Sequence, residues 1–330
     1  MKYVFAILAG LMLALGNGCA SMGHWGSVRK DDRIPVILDT DIGNDIDDTW
    51  ALMMLLKSPR FDVKLVTTTD GQPEYRGRLL AKLLTAAGRT DVPIALGPDA
   101  GKTKGEERET SWLAGYQLSD YKGGLSRDAA GAISYVVHRS RKPVTIIAIG
   151  PLQTLAATLE RDPSVAPNAR LVGMQGSVFK GYNGSGQADA EFNVKEAVGA
   201  AQKVLSAPWR SVAITPLDTC GVPGMKIWGE QFHMLKESKD PMVRAILGSY
   251  ASWAHGKEEL KKSTTLYDTV AIYLADPKNR GLLQVKPLKI EVNGEGRTVV
   301  SEEGRMMDVA TGWNDLGGYR RYLVKVLLEK

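Results

Sequence analysis

Short apolar runs alternate along this chain with longer stretches of helical length. Residues 34–38, 63–69, 92–96, 144–149, 169–174 and 210–214 are strand-sized and rich in Val, Ile and Leu. The run at 144–149 is apolar but for Thr145, a pattern that suits a strand buried on both faces. Between these runs, residues 49–57, 74–87, 127–139, 150–159 and 194–205 read as helices, with Gly88 as a stop and Gly150-Pro151 as a start. The resulting β-α-β-α order predicts an α/β fold built on a doubly wound, mostly parallel sheet. Near the end, 288–292 and 298–301 flank Asn293-Gly294-Glu295-Gly296 and predict a C-terminal hairpin, with 319–328 as a closing helix. No Pro/Ser-rich linker and no repeat interrupts residues 34–330, so one domain is expected.

The first residues break the pattern. Lys2 precedes an apolar run at 3–15, and Gly16-Asn17-Gly18-Cys19 follows. The run is short for a membrane span and reads as an export signal. Cys19 in this setting resembles the lipid-modified cysteine of bacterial lipoproteins, although Gly16 stands where that pattern prefers Leu. The expectation is a signal peptide at 1–18, a polar tether at 19–33 and a periplasmic, membrane-anchored lipoprotein. With Cys19 lipid-modified, Cys220 is the one free cysteine of the mature chain, so no intrachain disulfide forms and core packing must hold the fold. With 44% hydrophobic and 24% charged residues, the chain is too ordinary for a disordered or fibrous protein. Its net charge of +5 contains no basic block, which argues against a polymeric nucleic-acid partner.

The densest chemistry follows the first strand. Asp39-Thr-Asp41-Ile-Gly43-Asn-Asp45-Ile-Asp47-Asp48 puts five carboxylates within ten residues, between an apolar strand and an apolar helix. Crowded carboxylates repel unless a cation neutralises them, and hard oxygen donors suit Ca²⁺ or Mg²⁺. Gly43 allows the loop a sharp turn. A helix cap would use only Asp47 or Asp48. An EF-hand fits less well still, because Asn44 and Trp50 occupy the places that need Gly and Glu. Asp39-Thr-Asp41 also echoes the nucleophile motif of haloacid-dehalogenase-type phosphatases, a reading that leaves Glu191-Phe192-Asn193 unexplained.

This loop resembles the opening of the nucleoside hydrolases, where a strand runs into Asp-Thr-Asp-Pro-Gly-x-Asp-Asp and then a helix. Here Ile42 replaces the Pro and two further residues precede Asp47-Asp48, so Asp45 and Asp47 both remain candidates for the first place of the acidic pair. The resemblance implies a sheet of that family's type. It implies Asp41, Asp48, Asp268 and the carbonyl of Ile149 as Ca²⁺ ligands, with Asp41 also activating the attacking water. It implies ribose contacts from Asp47, Glu191, Asn193 and Asp268, and further substrate contacts from Gln72, Asn183 and Tyr267. Tyr267 stands where several members carry a leaving-group His, and its unperturbed pKa near 10 suits proton donation at neutral pH less well. Asp218 reads as structural. His233, His255, Trp228 and Trp253 lie in the variable region that could approach the substrate. The implied activity is Ca²⁺-dependent hydrolysis of the N-glycosidic bond of a small-molecule ribonucleoside, releasing base and ribose. The alternative is a lipoprotein that binds ribose or nucleoside without catalysis. Family members are often dimers or tetramers, which by analogy implies a homo-oligomer.

Overall fold

β1 (Ile34–Thr40) is buried on both faces, sending Val36 and Leu38 into one hydrophobic layer and Ile37 into the other. It is the fourth strand across a ten-stranded sheet formed among the described residues of a computed structural model, which are 29, 32–99, 107–255 and 260–329. The expected signal peptide at 1–18, Cys19 and most of the 19–33 tether lie outside the described residues.

β2 (Phe61–Thr68), β3 (Ile94–Ala95) and β4 (Leu125–Ser126) extend the sheet to one side of β1. β5 (Val144–Ala148), β6 (Ala169–Gly173) and β7 (Ser211–Ile214) extend it to the other. All seven run parallel. The order of connection therefore reverses between β1 and β5, and it is beyond the carboxyl ends of such a strand pair that an open α/β sheet leaves a crevice.

The expected hairpin is present as β8 (Leu283–Val292) and β9 (Thr298–Val300). A strand not foreseen in the sequence, β10 (Arg305–Trp313), inserts between β7 and β8, parallel to the former and antiparallel to the latter. Asp308, Thr311 and Gly312 interrupt its apolar pattern and hide it. The helix Pro241–Trp253 was also unforeseen, although Asp240 caps it by accepting from the N–H groups of Met242 and Val243.

The helix Asp47–Lys57 fixes the site from behind. Every residue from Asp47 to Leu56 is buried, because the helix packs against Pro241–Trp253, Thr269–Ala275 and Leu316–Leu328 as well as the sheet. Trp50, 1% exposed, meets Tyr250 edge-on at 6.4 Å. Trp50→Ala should cost about 3–5 kcal/mol of unfolding free energy, read from the denaturant midpoint. A loss below about 1 kcal/mol would show that this helix is not part of the core.

Candidate active site

The loop after β1 is held by backbone geometry and one arginine. Gly43 has φ +100°, and a Cβ there would lie 2.5 Å from Leu79 and 2.6 Å from Tyr75, so glycine is required both for conformation and for space. The buried Arg76 guanidinium donates to the carbonyls of Ile42 (2.9 Å), Gly71 (3.0 Å) and Asp70 (3.2 Å). One side chain thus ties the loop after β1 to the loop after β2.

Asp47 and Asp48 occupy the first turn of their helix, where the dipole favours negative charge. Asp268 immediately precedes the helix Thr269–Ala275. Carboxylate oxygens of these three buried residues lie within 4.8 Å of one another. The Thr40 hydroxyl donates to Asp48, and the Asp268 N–H donates to Asp47 at 3.2 Å. Burial first, and then the charges of the neighbouring aspartates, push all three carboxyls well above the usual range. Asp41 lies outside this trio but faces the same cavity, and Gly150 makes room for it: a Cβ on Gly150 would sit 2.7 Å from Asp41 Oδ1. Asp39 is buried behind the loop, with Oδ1 accepting from the Thr67 hydroxyl at 2.6 Å and Oδ2 unpartnered.

Across the crevice, the Asn193 amide donates to the carbonyls of Ile149 (3.2 Å) and Met174 (3.0 Å). Both its amide protons are engaged, so Oδ1 is the atom left for a ligand. Glu191 caps the short helix Phe192–Glu196, accepting from the N–H groups of Asn193 (2.8 Å), Gly176 (2.8 Å) and Val194 (3.3 Å). Three of about four acceptor positions on a carboxylate are then filled, which leaves one for a hydroxyl. Burial pushes Glu191 up to about 7 against the pull of those N–H groups. Asp218 accepts from the N–H groups of Val178 and Phe179, both at 2.9 Å, and holds this segment in the structural role expected of it.

These groups converge on a cavity of about 320 Å³. Of the residues singled out in the sequence, Asp41, Asp47, Asp48, Ile149, Glu191, Asn193, Tyr267 and Asp268 line it; Gln72 and Asn183 do not. Gln72 instead precedes the helix Pro73–Ala86 in a left-handed conformation, and Asn183 sits in an exposed turn with φ 56° while its neighbour Tyr182 faces the cavity. Asp45, left open against Asp47, lines the cavity too, but Asp47 is the residue within the tight oxygen trio. Trp253 is on the wall; Trp228, His233 and His255 are not. Arg108, stacked over Trp253 at 5.0 Å, and Tyr182, edge-on to Tyr267 at 6.2 Å, complete the wall. Neither carried a sequence signal, since Arg108 lies in a polar run and Tyr182 in a glycine-containing turn.

The profile of the family described as inosine-uridine preferring nucleoside hydrolase matches residues 36–318. A relative from Klebsiella pneumoniae named non-specific ribonucleoside hydrolase RihC is 28% identical over 319 residues, covering 89% of this chain and 98% of the relative. Among solved structures, a plant nucleoside hydrolase superposes with a TM-score of 0.74 at 20% identity, and an inosine-guanosine nucleoside hydrolase with 0.73 at 18%. Each superposition covers 90% of this chain and 99% of the other. At those identities the two structures speak to the fold.

Gly150→Ala should displace the Asp41 carboxylate and depress turnover at least tenfold, on the order of what an ångström-scale misplacement costs. Unchanged turnover with an intact fold would mean that Asp41 is not held by this contact. Raised carboxyl pKa values also have a consequence for stability. Below the unfolded pKa of such groups the stabilisation is complete, and it is lost as pH rises through the folded values, which for Glu191 means from about 4.5 to about 7. In chelator the melting temperature should therefore fall across that window, and a divalent cation should restore it most at the alkaline end. A melting temperature that is flat or rising in chelator would contradict the crowded-acid description.

Proposed function

The chain belongs to the inosine-uridine preferring nucleoside hydrolase family and is a hydrolase of N-glycosyl compounds, and from that premise we propose that it hydrolyses ribonucleosides to base and ribose with Ca²⁺ as cofactor. The observation that carries the reading is the group of buried, mutually repelling carboxylates at the strand switch point, facing a cavity large enough for a small ligand. Relatives that match nearly end to end are named as ribonucleoside hydrolases, so binding without catalysis is not favoured.

The donors fit a hard cation. Asp47, Asp48 and Asp268 offer clustered carboxylate oxygens, Asp41 lines the same cavity, and Ile149 offers a carbonyl steadied by Asn193. Bound among them, Ca²⁺ would neutralise the crowded charge and lower the pKa of a water. Asp41 accepts the proton of the attacking water. Glu191, through its remaining acceptor position, and Asn193, through Oδ1, take hydrogen bonds from ribose hydroxyls. The Asn193 amide does not donate to the sugar in this arrangement, because its protons are engaged by backbone carbonyls. Hydroxyl contacts that tighten as positive charge builds on the sugar stabilise the transition state rather than only the complex. Tyr182, Tyr267 and Trp253 give the base an aromatic wall.

We further propose export and lipid attachment at Cys19, on the strength of the apolar run and small residues that precede it.

Asp41→Asn should stay folded, with a melting temperature in chelator no lower than the wild type's, and lower base release from a ribonucleoside panel by about 10²–10⁴-fold, the range for loss of a positioned general base. Chelator should abolish release by the wild type, and Ca²⁺ should restore it better than Mg²⁺. Full activity of Asp41→Asn removes Asp41 as the base, while full activity in chelator removes the cation.

A further inference from the structure

The amino-terminal edge of the sheet, opposite the active site, carries a basic groove of about 440 Å³. Arg33 lies just before β1, Lys64 near the start of β2, and Arg139, Arg141 and Lys142 just before β5. Among the described residues Asp62 is the one acid lining it, and it is paired with Lys64 at 2.5 Å. Arg33, Arg139 and Arg141 are exposed and have no acidic partner among the described residues. Tyr135 projects from the same groove with 66% of its surface exposed. The bland account is that these charges complement a helix C-terminus. It covers Arg139, in the last turn of the helix Ala129–Arg139, but not Arg33 or Lys64, which belong to no helix.

Position gives the groove its meaning. The segment from Cys19 joins the fold at Arg33, so a tether fixed to a lipid surface would bring this edge to that surface first. The catalytic carboxylates lie at the other end of β1, about 20 Å away at the rise of a seven-residue strand. We propose that this edge is a docking surface for an anionic phospholipid membrane, with the guanidinium and ammonium groups on lipid phosphates, Tyr135 at the headgroup level and the active-site mouth turned away. The idea rests on the anchoring reading for its geometry alone, since the groove's charge is present whether or not Cys19 is modified.

The test uses the chain lacking residues 1–19, which retains every described element, so no lipid on Cys19 can contribute. Cosedimentation is measured at low ionic strength with vesicles of phosphatidylcholine alone and of phosphatidylcholine mixed with phosphatidylglycerol, and base release is assayed on the same samples. The expected result is binding to the mixed vesicles alone, lost as salt rises. Each basic group near an anionic surface contributes about a fivefold change in partitioning, so replacing Arg33, Arg139 and Arg141 together by Ala should weaken binding about a hundredfold and leave base release unchanged. Removing the exposed Arg244, Lys261 and Lys278 should leave binding near wild type. Equal binding to neutral vesicles, no binding to either, or equal weakening by both triple variants overturns the proposal. Release of the protein from vesicles by inorganic phosphate at constant ionic strength also overturns it, by marking a small-anion pocket instead. Failure of the hydrolase or lipidation readings would appear in the base-release assay or at Cys19 and leave these outcomes readable.

Discussion

Buried like charge is the constraint on which the structure turns. Asp41, Asp47, Asp48, Asp268 and Glu191 all face one cavity and are nearly free of solvent. Each buried carboxylate costs several kcal/mol unless something offsets it. The protein supplies partial offsets: the first turn of a helix for Asp47 and Asp48, the Thr40 hydroxyl on Asp48, three backbone N–H groups on Glu191 and the more distant charge of Arg76. These leave the aspartate trio with pKa values well raised, so the metal-free site favours protons over bare charge. A divalent cation answers the same demand with far more charge in one place, which is why the acids read as a binding site rather than as strain.

The fold delivers this crowd through its topology. Because the chain leaves β1 towards β2 and leaves β5 towards β6, in opposite directions, the carboxyl ends of β1 and β5 open a crevice that neither set of helices covers. Two glycines then set the geometry. Gly43 turns the loop under Tyr75 and Leu79 so that Asp47 and Asp48 enter their helix at the crevice, and Gly150 clears the space that the Asp41 carboxylate occupies. Arg76 locks the floor by holding carbonyls from two adjacent loops. The sequence marks these as a turn glycine, a helix start and an unremarked arginine, yet together they fix where the acids point.

Legibility followed the range of the interaction. Strands β1, β2, β5, β6 and β7 were readable because burial on both faces leaves an apolar run, and the acidic loop was readable because its crowding is local in sequence. β10 was lost because its apolar residues are interrupted, and what makes it a strand is its pairing with β7 and β8 far away in the chain. In the site, Asp268 and Glu191-Phe192-Asn193 were found through their likeness to known motifs, not through any local pattern. Arg108, Tyr182 and Glu109 were missed because their significance is purely tertiary. Glu109 is fully buried beside Ser249, whose hydroxyl donates to it, although its sequence neighbours suggest only a solvated charge run.

The aromatic wall of the cavity limits how a leaving base would be helped in the proposed reaction. No histidine lines the cavity among the described residues, and burial pushes Tyr267 up to about 12 and Tyr182 higher than the ordinary phenol. A neutral phenol still donates a hydrogen bond; what burial makes costly is the phenolate left after the proton is given away. Arg108 beside them is a further hydrogen-bond donor, since a guanidinium offers only N–H groups. In the proposed reaction these three side chains would assist departure by stabilising charge as it accumulates on the base rather than by completing a proton transfer. In that reaction the carboxylates and the ribose hydroxyls would carry most of the acceleration, because stabilising the sugar's developing positive charge is the large lever such a cavity retains.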